Sequence, residues 1–166
     1  MNNEDIQTKA SAIKLLALDS DGVLTDGGVY IFENGDEFRR FNIKDGLGLK
    51  QVMNCGIEVA IISAASTRAV QRRAERLGIQ YVYVGVKDKL QQLLEVCHQL
   101  NLQLDSVAYM GDDLTDLPVL KQVGLPCAPA DAVAQVRDVA SFTSTCTGGN
   151  GAVRELCDLL VEAQNT

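Results

Sequence analysis

Two carboxylates follow the first apolar run of the chain and are its clearest candidates for chemistry. Asp19 and Asp21 come directly after Leu15–Leu18, and Gly22 follows at once. The run is too short for a helix and is typical of a buried parallel strand, so both acids are expected at its carboxyl end. Open α/β sheets bind ligands at that edge. Because no Lys or Arg within the segment neutralises them, the two acids indicate a hard cation such as Mg²⁺.

A hydroxyl and an ammonium group follow later in the chain. Ser63 comes directly after the strand predicted over Glu58–Ile62, and Lys89 opens a helix that Asp88 is expected to cap. The carboxyl ends of parallel strands share one edge of a sheet, so these groups can converge with the first two acids. Two simpler interpretations stay open here, Ser63 as a helix cap and Lys89 as a solvated helix residue.

A second group of acids follows the strand predicted over Val107–Met110. Asp112, Asp113 and Asp116 lie within the next six residues. An acid cluster that binds a metal, together with one hydroxyl and one ammonium group, is what phosphoryl transfer requires. The cation and the ammonium neutralise phosphoryl oxygens, and the hydroxyl binds one of them. The sequence therefore predicts a phosphoryl-transfer site.

Strands alternate with helices, which predicts an α/β fold: a Rossmann-like parallel sheet with helices on both faces. Residues 1–12 read as a loose polar leader, and 13–166 as a single domain. Asn34–Gly35 between two β-rich runs, Val29–Phe32 and Glu37–Phe41, predicts a protruding β-hairpin that carries half of the aromatic residues. A lone hairpin is marginal in water, so this one is expected to pack against another surface such as a second subunit.

The remaining elements follow from apolar spacing and helix stop signals. Helices are predicted over Asp45–Met53, from a cap at Ser66 to Leu77, after Asp88 to Leu100, over Asp116–Val123 and around Val153–Val161; strands are predicted over Gln80–Val84 and Leu125–Ala128. Gly148–Gly151 leaves two interpretations open, a flexible hinge or a tail that closes over a substrate.

Composition bounds the class of protein. The chain has 166 residues, of which 46% are hydrophobic and 22% charged, as expected for one globular domain. A net charge of −7 argues against sequence-independent nucleic-acid binding. No apolar run approaches the roughly 18–20 residues of a membrane span, and Met1–Asp5 does not read as a signal peptide. The five scattered cysteines are typical of free thiols. We expect a cytoplasmic protein without nucleic-acid or membrane partners.

The motifs together resemble those of the haloacid dehalogenase superfamily of phosphatases. The resemblance is carried by Asp19-Ser20-Asp21-Gly22-Val23, by Ser63 after a hydrophobic strand, by Lys89 and by Gly111-Asp112-Asp113-x-x-Asp116, in the order of that superfamily. Each motif alone is weak, but four in the right order are strong together.

Further segments narrow the resemblance to the family of 3-deoxy-D-manno-octulosonate 8-phosphate (KDO 8-phosphate) phosphatases. These segments are Leu18–Gly27, the Asn-Gly hairpin, Phe41–Gly46 and Gly148–Glu155. The resemblance implies a cap-less, Mg²⁺-dependent enzyme of lipopolysaccharide precursor synthesis. It also implies a homotetramer in which the hairpin and C-terminal tail contribute between subunits. The stretch from Asp19 to Ser63, filled by a hairpin and a helix, leaves no room for a large cap.

The resemblance also implies residue roles. Asp19 would be the nucleophile that forms an aspartyl-phosphate, and Asp21 the general acid and base. Mg²⁺ would be held by the carboxylates of Asp19 and Asp112 and by the backbone carbonyl of Asp21, with Asp113 and Asp116 orienting the ligands or the lysine. The expected substrate-binding residues are Gly46, Ser63, Lys89 and Arg154.

The second motif departs from the family pattern. It usually reads Thr-Gly-Arg, whereas this chain has Ser63-Ala64-Ala65. The hydroxyl is kept, but the missing Arg removes a substrate contact that Arg68, Arg72 or Arg154 would have to replace. Phosphatases of nine-carbon sugar acid phosphates, of the KDN or sialic acid 9-phosphate type, therefore stay an alternative. So does a non-catalytic phospho-acceptor or assembly module, although the second predicted strand ends in Ser63 and not in an acceptor Asp.

Overall fold

Short apolar runs form the central strands over Leu15–Leu18, Val107–Met110 and Leu125–Ala128, whose side chains are buried on both faces of the sheet. A computed structural model describes residues 3–165. The strands are β1 (Leu15–Leu18), β2 (Tyr30–Ile31), β3 (Glu37–Phe38), β4 (Glu58–Ile62), β5 (Tyr81–Tyr83), β6 (Val107–Met110), β7 (Leu125–Ala128) and β8 (Phe142–Thr143). Six of them form a parallel sheet in the order β5-β4-β1-β6-β7-β8. The predicted fold class is confirmed.

Alternation along β1 divides the core into two layers. Leu16 and Leu18 face one cluster of buried side chains, and Leu15 and Ala17 face the other. The helices are α1 (Asn3–Ser11), α2 (Ile43–Asn54), α3 (Arg68–Leu77), α4 (Lys89–Leu100), α5 (Leu117–Leu120), α6 (Ala134–Val139) and α7 (Ala152–Gln164). Helices α1, α2, α3 and α7 cover the first face, and α4, α5 and α6 cover the second. Because β1 lies in the middle of the sheet, the residues after it are flanked by strand ends on both sides.

The register of the parallel pairs aligns the carboxyl ends of β1, β4 and β6. Leu18 pairs with Ile61 of β4 and with Met110 of β6, so the chain leaves these three strands at the same edge. The backbone N–H of Asp19 still donates to the Met110 carbonyl at 3.0 Å, which extends the ladder by one residue. The acids after β1 and β6 therefore begin next to each other.

The amino-terminal segment differs from the loose leader that the sequence predicted. Residues 3–11 form α1, which packs on α7, and Ala10 is fully buried. The Gln164 side chain of α7 donates to the carbonyls of Ala10 and Ser11 at the end of α1. These contacts to α1 come from the opposite end of the chain. Residues 1 and 2 lie outside the described part.

Four further elements differ from expectation. Thr67, not Ser66, caps α3, since its hydroxyl accepts from the Ala69 N–H at 3.3 Å. The helix predicted over Asp116–Val123 is a short 3-10 turn followed by the four residues of α5. Helix α6 and strand β8 were not predicted.

The hairpin protrudes as predicted, with shorter strands. Tyr30 stacks on Phe38 with ring centroids 4.6 Å apart, yet Tyr30, Ile31, Phe32 and Phe38 are all exposed. Contacts within the hairpin thus leave most of its apolar surface in water. Within residues 3–165, no helix combines the length and the apolar character needed to cross a membrane.

Candidate active site

Side chains from several strand ends line one open cavity of about 490 Å³ at the carboxyl edge of the sheet. Its lining residues are Asp19, Asp21, Gly22, Gly27, Ser63, Ala64, Ala65, Lys89, Asp112, Asp113 and Thr115. Among the described residues, oxygens of Asp19, Asp112 and Asp116 lie within 4.8 Å of one another. The structure therefore brings together the acids, the hydroxyl and the ammonium group that the sequence placed at this edge.

Lys89 lies between two carboxylates. Its Nζ is 2.8 Å from Asp19 Oδ2 and 2.8 Å from Asp116 Oδ1, and its side chain is only 3% exposed. Asp88 caps α4 by accepting from the Gln91 N–H at 3.0 Å, which starts the helix at Lys89. Burial lowers the pKa of the ammonium, but the two carboxylates outweigh it and raise the pKa above its ordinary value. The lysine is therefore a fixed positive charge beside Asp19.

Asp116 uses both of its oxygens to hold other groups. Oδ1 accepts from Lys89 Nζ and from the Tyr109 hydroxyl at 2.7 Å, and Oδ2 accepts from the backbone N–H groups of Asp112 and Asp113 at 3.1 and 3.2 Å. These bonds fix both the lysine and the turn that carries Asp112. The geometry fits the predicted orienting role and leaves little of this carboxylate for a metal ion.

Replacing Asp116 by alanine is expected to lower the free energy of unfolding by at least about 3 kcal/mol, because it leaves buried donors of Lys89 and Tyr109 without their acceptor. Urea unfolding followed by circular dichroism measures the change. Asp113→Ala is the matched control: the Asp113 side chain accepts from the Leu114 N–H at an exposed turn, so its loss should cost about 1 kcal/mol. Equal losses for the two variants would contradict this account.

The electrostatics of the cavity favour a cation. Burial, reinforced by the charge of Asp116 and opposed by Lys89, raises the pKa of Asp19 to about 6. Burial, followed by the charge of Asp19, raises the pKa of Asp112 to about 7. Three carboxylates thus face a single ammonium group, and their hard oxygen atoms match the ligands that Mg²⁺ prefers. The residues present fit a magnesium ion.

Gly22 lets the Asp112 carboxylate reach the loop after β1. Its φ is +84°, and a Cβ at this position would overlap the carboxylate of Asp112. Only glycine combines this backbone conformation with the close approach. The Asp-Gly pair that the sequence showed therefore has a steric reason beyond turn chemistry.

Gly148 and Gly149 pack onto the backbone of the same loop. The N–H of Gly149 donates to the Val23 carbonyl at 2.9 Å, and a Cβ on Gly148 would overlap the Gly22 carbonyl. Arg40 adds a contact from its Nη2 to the Gly149 carbonyl at 3.4 Å. In this structure the glycine-rich segment packs on the backbone of the loop that carries Asp19 and Asp21 and hydrogen-bonds to it. This role is neither of the two that the sequence left open.

Ser63 lies in a turn at the end of β4. Its side chain is buried, its Oγ accepts from the Ala65 N–H at 3.2 Å, and its carbonyl accepts from the Val86 N–H at 3.0 Å. Since Thr67 caps α3, Ser63 does not serve as its cap. The hydroxyl stands at the cavity wall, where it can donate to an anion.

Arg39 of the hairpin pairs with Asp21, a contact that sequence reasoning missed. Its Nε lies 3.1 Å from Asp21 Oδ1, and the arginine side chain is only 5% exposed. The partners are 18 residues apart and meet only because the hairpin folds back over the loop. No local sequence pattern predicts this ion pair.

The structure does not place Gly46 or Arg154 at the cavity. Gly46 packs beneath the Arg73 side chain, which a Cβ would overlap. The backbone N–H of Arg154 donates to Asp45 at 2.9 Å, and its Nε pairs with Asp158 at 2.7 Å. Within one chain Gly46 packs against Arg73 and Arg154 contacts Asp45 and Asp158, so the substrate contacts of both residues stay a prediction.

A second cavity of about 450 Å³ adjoins the first and shares Ala65 with it. Arg39 and Arg68 both contribute to its lining, whereas Arg72 is exposed on α3. Of the three arginines considered as replacements for the missing motif residue, Arg68 is therefore the one that lies next to the site.

Comparisons with known proteins agree with this geometry. A sequence model of the haloacid dehalogenase-like hydrolases matches residues 82–156. A 3-deoxy-D-manno-octulosonate 8-phosphate phosphatase of Escherichia coli strain K12 is 44% identical over 160 residues, which cover 96% of this chain and 85% of that protein. The phosphatase of that name from Yersinia pestis has a solved structure with 42% identity and a TM-score of 0.96, covering 98% of this chain and 88% of that one.

A third relative was solved with ligands. The 3-deoxy-D-manno-octulosonate 8-phosphate phosphatase of Moraxella catarrhalis, in complex with a magnesium ion, a phosphate ion and a KDO molecule, has 41% identity and a TM-score of 0.97. The match covers 99% of this chain and 94% of that one. The likeness thus extends over the hairpin, the cavity and the C-terminal helix together.

Proposed function

The chain belongs to the haloacid dehalogenase-like hydrolases and is a phosphatase, and from that premise we propose that it hydrolyses 3-deoxy-D-manno-octulosonate 8-phosphate to the free sugar acid and phosphate. The observation that carries the proposal is the arrangement of Asp19, Lys89 and Asp112 around one open cavity, in a fold that matches a relative solved with phosphate and KDO. The free sugar acid would serve lipopolysaccharide precursor synthesis. The five free cysteines support a reducing compartment, the cytoplasm.

Magnesium is the proposed cofactor. The carboxylates of Asp19 and Asp112 and the backbone carbonyl of Asp21 would hold it, since the oxygens of Asp116 are occupied by donors. When bound, the ion neutralises phosphoryl oxygens and lowers the repulsion between the phosphate and the carboxylates.

The chemistry needs two steps at phosphorus. Asp19 attacks, so that a bond from its carboxylate oxygen to phosphorus forms while the bond from phosphorus to the sugar oxygen breaks. Asp21 gives its proton to the leaving oxygen. Asp21 then takes a proton from water, which attacks phosphorus and releases Asp19 and phosphate. Lys89 and Ser63 hold the phosphoryl oxygens, and Lys89 also keeps the Asp19 carboxylate in place at 2.8 Å.

A direct assay tests the proposal. Phosphate release is measured with Mg²⁺ on a panel of eight-carbon and nine-carbon sugar acid phosphates. We expect the highest kcat/KM for 3-deoxy-D-manno-octulosonate 8-phosphate. A nine-carbon substrate is the second candidate, because Ala65 lines both cavities at the position where the family resemblance implies an arginine. Preference for a nine-carbon substrate would replace the first proposal, and absence of turnover on the whole panel would refute both.

Lowering the pH from 8 to 6 is expected to weaken Mg²⁺ binding by about tenfold or more, because protons compete for the same oxygens. The pKa of Asp112 is about 7 and that of Asp19 about 6, both above the ordinary value. Protonation of Asp19 and Asp112 stabilises the metal-free fold. This stabilisation is lost as the pH rises through 6 and 7, and bound Mg²⁺ is expected to compensate for the loss. Thermal unfolding across Mg²⁺ titrations at both pH values measures this. An equal Mg²⁺-induced shift at pH 6 and pH 8 would contradict it.

The hairpin is proposed to pack against a second copy of the chain in a homotetramer. Ile31, Phe32 and Val29 are 67%, 57% and 52% exposed, which is unusual for a contiguous apolar surface in water. Ile31→Glu is expected to shift the sedimentation coefficient towards a smaller species. Leu94→Glu, at an exposed leucine of α4, is the matched control and should leave the mass unchanged. A monomeric wild-type protein would refute the assembly.

A further inference from the structure

Arg39 is a cation with a largely covered side chain, in a hairpin whose apolar side chains are exposed. Its side chain is only 5% exposed, whereas Tyr30, Ile31 and Phe38 of the same hairpin are 40%, 67% and 45% exposed. Ordering a long side chain has an entropic cost, so its burial here requires specific partners. The hairpin therefore does more than present an apolar surface.

Three acceptors fix the guanidinium. Nε lies 3.1 Å from Asp21 Oδ1, and Nη1 lies 3.2 Å from Glu37 Oε2 and 3.4 Å from the Phe38 carbonyl. Glu37 and Phe38 belong to β3, the strand just before the arginine. The hairpin acceptors Glu37 and Phe38 thus bind Nη1 of the guanidinium, and this leaves Nε directed at the cavity residue Asp21.

Asp21 is the side chain in this site that needs such support. It lines the cavity and is 31% exposed, so an unrestrained carboxylate could adopt several rotamers. With Oδ1 bound by Arg39, the carboxylate has a defined direction and keeps its second oxygen for proton transfer. When the proton passes to the leaving oxygen, Asp21 becomes a carboxylate, and the adjacent guanidinium stabilises that negative charge.

We propose that Arg39 is a positioning residue that acts through Asp21, so that the hairpin contributes directly to proton transfer. The inference rests on the proposed function, in which Asp21 is the general acid and base. Arg39 touches no reacting atom in this account. Direct binding of the substrate by Arg39 is the competing role, and the experiment separates the two.

The first test varies the leaving group. Arg39→Gln is assayed with the sugar acid phosphate and with p-nitrophenyl phosphate, and kcat/KM is compared because it reports the step that forms the aspartyl-phosphate. We expect a loss of about 10² for the sugar phosphate, whose leaving oxygen needs a proton. The loss for p-nitrophenyl phosphate should stay within about threefold, since its phenolate leaves without protonation. Arg39→Lys should recover part of the lost activity. Equal losses on both substrates would overturn the proposal.

A double-mutant cycle supplies the second test. If Arg39 acts through Asp21, then Arg39→Gln should cost nothing further in an Asp21→Asn background. An additional loss of the same size in that background would show direct substrate binding and overturn the proposal. Arg76→Gln, at an exposed arginine near the end of α3, removes the same charge far from the cavity and should match wild type.

Failure of this inference can be told apart from failure of the proposed substrate. If wild type cleaves another alkyl phosphate but not the sugar acid phosphate, the substrate proposal fails, and the cycle is run on the alkyl phosphate that is cleaved. Thermal unfolding of each variant checks that the hairpin substitution leaves the domain folded. If Arg39→Gln is destabilised, Arg39→Lys takes its place in the cycle. The proposal then requires that Arg39→Lys causes no further loss of activity in the Asp21→Asn background.

Discussion

Asp19→Asn is expected to abolish phosphate release, with a loss in kcat of at least about 10⁴-fold. The Asp19 carboxylate lies 2.8 Å from the ammonium of Lys89 and in the same cluster as Asp112, so it is the group placed to attack phosphorus. An amide oxygen is a far weaker nucleophile and cannot form the aspartyl-phosphate. The measurement is steady-state phosphate release with saturating Mg²⁺ and the best substrate of the panel. Residual activity above about one hundredth of wild type would contradict the assignment.

The stability of the same variant separates lost chemistry from lost folding. Burial first, and then Asp116, raises the pKa of Asp19 to about 6, despite Lys89. A folded-state pKa above the unfolded value means that the ionised form weakens the fold at higher pH. Metal-free Asp19→Asn should therefore melt at the same temperature as wild type or higher at pH 8. Asp105→Asn, an exposed acid at the opposite end of β6, is the control and should keep full activity.

The strands that build the site were predictable because their side chains are buried on both faces. The predicted bounds of β4, β6 and β7 agree with the structure, and the runs of β4 and β6 stop just before residues that line the cavity. Parallel pairing then determines which residues meet, since carboxyl ends share an edge. This is why Asp19 and Asp112, far apart in sequence, could be assigned to one site before any distance was known.

The contacts that the sequence did not predict depend on how separate elements pack. Arg39 reaches Asp21 through the fold of a hairpin, and α1 is held by the last helix. Arg154 was predicted to bind substrate from its place in the segment Gly148–Glu155, and in this chain its side chain pairs with Asp158 one turn along α7. Residue type and spacing identify groups capable of chemistry, but the direction of a long side chain depends on neighbours that the sequence does not reveal.

Gly22→Ala is expected to weaken Mg²⁺ binding by about 10- to 100-fold and to lower kcat/KM by a similar factor at limiting metal. A Cβ at this position would overlap the carboxylate of Asp112, so that side chain must turn away from Asp19. The nucleophile, the lysine and the serine are all unchanged, so excess Mg²⁺ should recover part of the activity. Isothermal titration with Mg²⁺ and the metal dependence of kcat/KM measure the two effects.

Backbone strain must be separated from the displaced carboxylate in this variant. Gly22 has a φ of +84°, at which alanine costs about 1 kcal/mol whatever its surroundings. Gly56, just beyond the end of α2, has a φ of +81° and nothing within 4 Å of an added Cβ, so Gly56→Ala carries the same strain without the overlap. Both variants should lose stability, but only Gly22→Ala should lose metal affinity. Equal Mg²⁺ affinities in the two would mean that the approach of Asp112 to this glycine does not determine where the cation is bound.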